Sequence, residues 1–104
     1  HVSVIRQAYR IKYDLCDEIL KDRFGYKRPA GGFFLWLDMS HLGGGVEATV
    51  TIWKRSGVKV VPGAYLAQDD RNGVNPGRDF IRVALVHDPK TIREALNRIV
   101  AVAA

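Results

Sequence analysis

The stretch NPGRDFIRVALV, residues 75–86, limits the fold more than any other part of this 104-residue sequence. If it is a β-strand, its side chains alternate between two faces. One face carries Ile81, Val83 and Leu85, and the other carries Phe80, Arg82, Ala84 and Val86. Both faces are apolar except at Arg82. The pattern therefore predicts a strand that is covered on both sides and holds one permanent charge in its middle.

The spacing of apolar residues, together with glycine, proline and turn signals, divides the rest of the chain into predicted helices and strands. Helical periodicity predicts helices at about 3–23, at 46–56 and from Asp88-Pro89 onward. Branched and aromatic runs predict strands at 33–39, 58–61 and about 79–86. Gly57 is placed to end the second helix in a left-handed conformation, and Asn72-Gly73 is a turn signal.

The resulting order is helix, strand, helix, strand, strand, helix, and no segment repeats. Each helix has one apolar stripe to bury, so a small sheet covered by helices is the natural arrangement. The sequence predicts an α+β fold with a small mixed or antiparallel sheet of about three strands. Local turn chemistry does not fix the order of those strands.

Composition supports one compact domain that includes all of residues 1–104. Hydrophobic residues make up 47% of the chain, which is enough for a core. No apolar run approaches the roughly 20 residues that span a bilayer, and no signal-peptide pattern opens the chain, so no membrane contact is expected. A single cysteine, Cys16, excludes an internal disulfide and agrees with a cytoplasmic protein.

The formal charge of +5 raises nucleic acid as a partner. The basic residues are spread along the chain, however. The nearest approach to a patch is Lys21, Arg23, Lys27 and Arg28, interrupted by Asp22 and Phe24. A solvated face explains this group better, so we expect no dedicated nucleic-acid binding.

The sequence contains no recognisable catalytic or metal-binding set. Its histidines, at positions 1, 41 and 87, lack metal-ligand spacing, and Cys16 lies on the apolar side of a helix as a core residue would. The glycines at 43–45 lack the lysine and hydroxyl of a phosphate loop, which favours a flexible connector. Asp38 is interpreted as a strand-end cap.

Arg82 needs a partner that neutralises its charge, since a buried charge without a partner costs several kcal/mol. One answer is an internal salt bridge, which physics alone favours; the candidate partners are Asp38, Asp69, Asp70 and Asp79. The other answer is a carboxylate ligand from outside. Guanidinium suits that task because it is planar, always charged and offers a two-pronged fork.

Three segments resemble the C-terminal small domain of the class I and II pyridoxal-phosphate (PLP) aminotransferases. GGFFLWLDM at 31–39 resembles the glycine-led aromatic strand of that family. SGVKVVPGAYLA at 56–67 resembles its Gly-Val-x-Val-x-Pro-Gly strand and loop, and 75–86 resembles the stretch that carries the carboxylate-binding arginine. The order and spacing of the segments extend the likeness from about residue 9 to 103.

The resemblance implies that Arg82 anchors the α-carboxylate of an amino-acid or 2-oxo-acid substrate. It implies more weakly that Gly32 and Phe33 line the same mouth and that Tyr65 lies in a loop near it. Core packing and turn formation would explain these three residues almost as well.

The resemblance also implies a longer parent enzyme. In this family the Schiff-base lysine, the aspartate paired with the pyridinium nitrogen and the phosphate-binding residues belong to a large upstream domain. None of the six lysines here lies in a matching motif; they are Lys12, Lys21, Lys27, Lys54, Lys59 and Lys90. The chain alone is thus expected neither to bind PLP covalently nor to transaminate.

The parent is expected to be a cytoplasmic homodimer. LWLDMS, IWKRSGVKVVPGAYLAQ and NPGRDFIRVALV look closest to the N-succinyl-diaminopimelate aminotransferases of lysine biosynthesis.

Two alternatives stay open from the sequence. A stand-alone module could use Arg82 to bind a small carboxylate without a cofactor. A basic α+β domain could bind nucleic acid with an affinity that falls steeply with salt. The interpretation as part of an aminotransferase predicts instead an exposed apolar patch on one side of the sheet or on the first helix, where a large domain would pack.

Overall fold

The computed structural model describes residues 2–104, with three helices and three strands. They are α1 (Val2–Leu20), β1 (Phe34–Asp38), α2 (Gly45–Ser56), β2 (Val61–Pro62), β3 (Phe80–Ala84) and α3 (Pro89–Ala103). The predicted α+β fold and its element order are confirmed. Over the described residues, no helix combines the length and apolar character needed to cross a membrane.

The three strands form one antiparallel sheet in the order β1-β3-β2. The last strand in the sequence is therefore the central one. Arg82 pairs with Trp36 of β1 on one side and with Val61 of β2 on the other. The predicted strand at 58–61 pairs with β3 only from Val61 onward, so β2 is shorter than expected.

In the part of the chain that the structure describes, helices cover one face of the sheet. The inner face joins buried residues of all three helices in a single core; its members are Leu35, Leu37, Ile81 and Val83. The opposite surface, which we call the open face, carries Phe34, Trp36, Val61, Phe80, Arg82 and Ala84. Trp36 is 46% exposed there, and Arg82 is half-buried. The expectation that β3 is covered on both sides is therefore wrong for the described chain.

Local signals at the helix ends behave as the sequence predicts. The Asp88 carboxylate accepts a hydrogen bond from the Thr91 backbone N–H at 2.8 Å, with Pro89 in the first helical turn of α3. Gly57 ends α2 with a φ of 72°, and its N–H donates to the Trp53 carbonyl. These caps fix where α2 and α3 begin and end around the sheet.

The glycines at 43–45 form a packed turn and not the predicted flexible connector. Gly44 and Gly45 are buried, and the Gly45 N–H donates to the Arg78 carbonyl at 2.8 Å. A Cβ on Gly45 would lie 2.1 Å from the Phe80 carbonyl oxygen. Glycine is needed here because the start of α2 lies directly against the start of β3.

A buried tyrosine ties the first loop to α1. Tyr26 is 8% exposed, and its hydroxyl donates to the Asp17 carboxylate at 2.6 Å. This hydrogen bond, aided by Arg28, holds the pKa of Asp17 below its ordinary value. Burial, followed by the same contact, raises the pKa of Tyr26.

We expect Tyr26→Phe to lower the free energy of unfolding by about 1–2 kcal/mol at pH 7, because the charged acceptor loses its donor. The folded-state pKa of Asp17 is depressed. Its contribution is thus fully present above the unfolded-state pKa of about 3.9 and is lost as the pH falls through the folded value. Urea denaturation should therefore show the stability difference between Tyr26→Phe and the parent shrinking as the pH falls below about 3.9, the unfolded-state pKa.

Tyr65→Phe is the matched control for this experiment, because Tyr65 is exposed and none of the described residues hydrogen-bonds its hydroxyl. If the free energy of unfolding that Tyr26→Phe loses is the same at pH 7 and at low pH, the role assigned to Asp17 is contradicted.

Candidate carboxylate-binding site

Arg82 lies at the middle of the open face, on the central strand. Its backbone is held from both sides by β1 and β2. Strand alternation directs its neighbours Ile81 and Val83 into the core and turns Arg82 outward. The sheet thus presents one guanidinium among apolar side chains.

The Arg82 guanidinium stacks on an aromatic ring and pairs with no acid of its own chain. Its Cζ atom lies 4.0 Å from the centroid of the Phe34 ring. Among the described residues no ion pair or hydrogen bond joins the guanidinium to any side chain, including the four candidate aspartates. The internal salt bridge is thus not formed, and the donors along the guanidinium edge are available.

Asp38, one of those candidate partners, is engaged elsewhere. Its carboxylate accepts a hydrogen bond from the Ser40 backbone N–H at 2.8 Å, as predicted for a strand-end cap. This contact holds the pKa of Asp38 below its ordinary value. Asp38 is therefore occupied in ending β1.

Gly32 and Phe33 lie together at the entrance to β1. The Tyr13 hydroxyl donates to the Gly32 carbonyl at 2.5 Å, and the Phe33 ring lies 5.0 Å from the Tyr9 ring, centroid to centroid. Both residues line an open groove of about 670 Å³ that continues past Phe34 and Trp36. They are linked to Arg82 through Phe34, which follows them in the chain and stacks on the guanidinium.

Tyr65 lies in the turn Gly63–Leu66 that follows β2, and it is 73% exposed. In the described part of the chain no hydrogen bond or ring contact joins it to Arg82. Its turn lies beside the open face, since a Cβ on Gly63 would come within 2.9 Å of the Trp36 ring. Tyr65 is thus the least closely associated of the four predicted site residues.

Two residues of this region were not singled out from the sequence. Phe34 stacks on Arg82, and the Asn75 amide donates to the carbonyls of Ala64 and Ala67, which ties together the two loops beside the open face. Strand alternation placed Phe34 on the same side of β1 as Trp36. Only the strand order, which the sequence did not fix, brings it to Arg82.

Other reactive side chains are committed to the core. Cys16 is fully buried, and burial raises the pKa of its thiol to about 12, so it is a poor nucleophile. Lys12 is buried, and its ammonium donates to the Leu85 carbonyl at 2.9 Å over the Tyr9 ring. No group of three or more potential metal ligands occurs in the part of the chain that the structure describes.

Solved aminotransferases share this fold. The chain superposes on an aminotransferase from Neisseria meningitidis with a TM-score of 0.90 and 33% identity, over 100% of this chain and 26% of that one. For a mutant aspartate aminotransferase from Thermus thermophilus, the TM-score is 0.77 and the sequence identity is 30%. That match covers 97% of this chain and 26% of the Thermus chain. For the aromatic aminotransferase of Pyrococcus horikoshii, the TM-score is 0.82 and the match covers 97% of this chain and 26% of that one. The sequence identity is 20%, so this likeness concerns the fold alone.

The sequence agrees with the fold. The family described as aminotransferase class I and II matches residues 1–99, and the chain belongs to that family. It spans about a quarter of the length of the solved aminotransferases that it resembles. No protein with a curated function matches it.

Proposed function

We propose that this chain is the C-terminal small domain of a longer PLP-dependent aminotransferase and that Arg82 binds the α-carboxylate of its substrate. The observation that carries this proposal is the guanidinium on the open face, which has no acidic partner among the described residues. A permanently charged fork in an apolar setting is well suited to a planar carboxylate.

The proposed role of Arg82 is to position the substrate. A two-pronged contact fixes the carboxylate and with it the orientation of the Cα–H bond from which a proton is removed. Gly32, Phe33 and Tyr65 would line the mouth through which an amino acid or 2-oxo acid enters. A large domain packed over the open face would exclude water and strengthen the ion pair.

The residues of this chain do not fit PLP by themselves. Among the described residues, Lys12 is buried and donates to a backbone carbonyl in the core. The other five lysines are exposed; they are Lys21, Lys27, Lys54, Lys59 and Lys90. When bound, PLP supplies the electron sink for amino-group transfer. We propose that residues outside these 104 hold it, in a cytoplasmic homodimer.

We expect the 104-residue chain, mixed with PLP, to show no saturable absorbance band of bound cofactor, whereas the full-length enzyme shows one. The reason is that, among the described residues, Lys12 is engaged with the Leu85 carbonyl in the core and the other five lysines are exposed at the surface. A spectrophotometric titration checks this. A saturable band from the short chain would contradict the proposed division of labour between the two domains.

The substrate of the parent is proposed to be N-succinyl-diaminopimelate, on the strength of the three sequence segments that resemble that subgroup. Initial rates of the full-length enzyme with this amino donor, compared with aspartate and aromatic amino acids, test the assignment. A higher kcat/KM for either of the other donors would exclude it while leaving the role of Arg82 intact.

A stand-alone carboxylate-binding module is the second candidate, because the free Arg82 fork would serve it equally. It predicts saturable acetate binding by the 104-residue chain in the absence of any second domain. Nucleic-acid binding is less well supported, since Arg28 of the basic group contacts Asp14 at 2.8 Å and also Asp17.

A further inference from the structure

Arg82 and Phe34 form a cation–π contact, in which the Cζ atom lies 4.0 Å from the centroid of the ring. Among the described residues no side chain accepts a hydrogen bond from the guanidinium N–H groups. A carboxylate is bound by the N–H groups at the edge of the guanidinium plane. The aromatic contact and ligand binding are therefore compatible.

The strand register explains why this ring and not another reaches the guanidinium. Phe34 pairs with Ala84, and Trp36 pairs directly with Arg82, so Phe34 is the diagonal neighbour of Arg82 on the open face. Ala84, the direct partner of Phe34, has only a methyl side chain. Trp36 instead meets Phe80 edge-on, with ring centroids 6.3 Å apart.

A long arginine side chain on an exposed sheet face would otherwise sample many rotamers. Among the described residues the guanidinium of Arg82 makes no ion pair and no second cation–π contact. Contact with Phe34 favours the rotamers that keep the guanidinium over this ring of β1. A side chain held in advance loses less freedom when the ligand binds.

We propose that Phe34 is a positioning residue that orients the Arg82 fork for the substrate carboxylate. This inference rests on the proposed function of Arg82. Because the stack is present without a ligand, removing the ring should weaken binding of the carboxylate and leave the reacting atoms unaffected. The effect belongs in KM and not in kcat.

The test is Phe34→Leu in the full-length enzyme, with Phe34→Tyr as the conservative variant that keeps the ring. We expect KM for the amino donor to rise about 3- to 30-fold in Phe34→Leu, as for the loss of a cation–π contact, with kcat changed by less than about threefold. KM and kcat of Phe34→Tyr should stay close to those of the parent. Thermal unfolding of each variant reports any loss of stability separately.

Trp53→Leu is the matched control, because it removes another exposed cation–π pair, with Lys59 at 5.5 Å, and Trp53 belongs to α2 and not to the sheet. A second readout does not depend on activity. In the ¹⁵N-labelled 104-residue chain, the ring current of Phe34 should displace the Arg82 Nε–H resonance, and Phe34→Leu should return it toward its random-coil position. Trp53→Leu should leave both KM and this resonance unchanged.

The outcomes separate this inference from the proposed function. If Arg82→Lys reduces kcat/KM tenfold or less, the proposed function fails and this inference fails with it. If Arg82→Lys has a large effect but Phe34→Leu changes KM less than twofold, only the inference is overturned. A lower melting temperature with unchanged KM, or an Arg82 resonance that does not respond, would likewise overturn it.

Discussion

Replacing Arg82 by lysine in the proposed full-length enzyme is expected to lower kcat/KM by about 10²- to 10⁴-fold, or about 3–5 kcal/mol. Lysine keeps the positive charge but loses the planar fork and its stacking on Phe34. Steady-state kinetics with amino donor and 2-oxo acid varied in turn would measure the loss. It should appear with both substrates, because both present the same carboxylate.

The control for this experiment is Arg71→Lys. Arg71 is exposed in the turn at Asn72-Gly73, and its replacement should change kcat/KM by less than twofold. Melting temperatures of the two variants should agree with that of the parent, because Arg82 makes no ion pair within the described chain. If kcat/KM falls tenfold or less in Arg82→Lys, the arginine has a structural role in the sheet and does not bind the substrate.

Gly45→Ala is expected to lower the free energy of unfolding by about 3 kcal/mol or more, out of the 5–15 kcal/mol typical of a domain. The new Cβ would lie 2.1 Å from the Phe80 carbonyl oxygen, and neither α2 nor β3 can retreat without losing core contacts. The helix propensity gained by replacing glycine, about 1 kcal/mol, is too small to offset this overlap. Urea denaturation monitored by circular dichroism measures the change.

Gly31→Ala provides the comparison, because a Cβ at Gly31 meets nothing within 4 Å. Its unfolding free energy should stay within about 0.5 kcal/mol of the parent. Equal stabilities for the two alanine variants would mean that α2 does not pack against β3 as closely as described.

Much of the fold could be predicted because its signals are local. Helix periodicity, the Asp88 cap and the Gly57 terminus depend on residues a few positions apart, and the structure has all of them. The uncovered face could not be predicted from such local signals, and it was only the family resemblance that predicted an exposed apolar patch. Phe34 and Trp36 are as apolar as core residues, and only the side on which the helices pack shows that they are exposed.

The glycines at 43–45 illustrate a second limit. Their composition is that of a flexible connector, but Gly45 is held by contacts with Arg78 and Phe80, more than 30 residues away. The candidate site shows the same division. Alternation of side chains singled out Arg82 from the sequence, whereas its contact with Phe34 depends on the pairing of β1 with β3.

The central position of β3 has a consequence for how the proposed anchor responds to a ligand. With a hydrogen-bonded neighbour on each flank, the Arg82 Cα atom has little freedom to follow an incoming molecule by itself. Adjustment at this point is limited to side-chain torsions or to displacement of the whole three-stranded layer with its helices. A force exerted on the guanidinium would therefore be transmitted to the entire body of the domain.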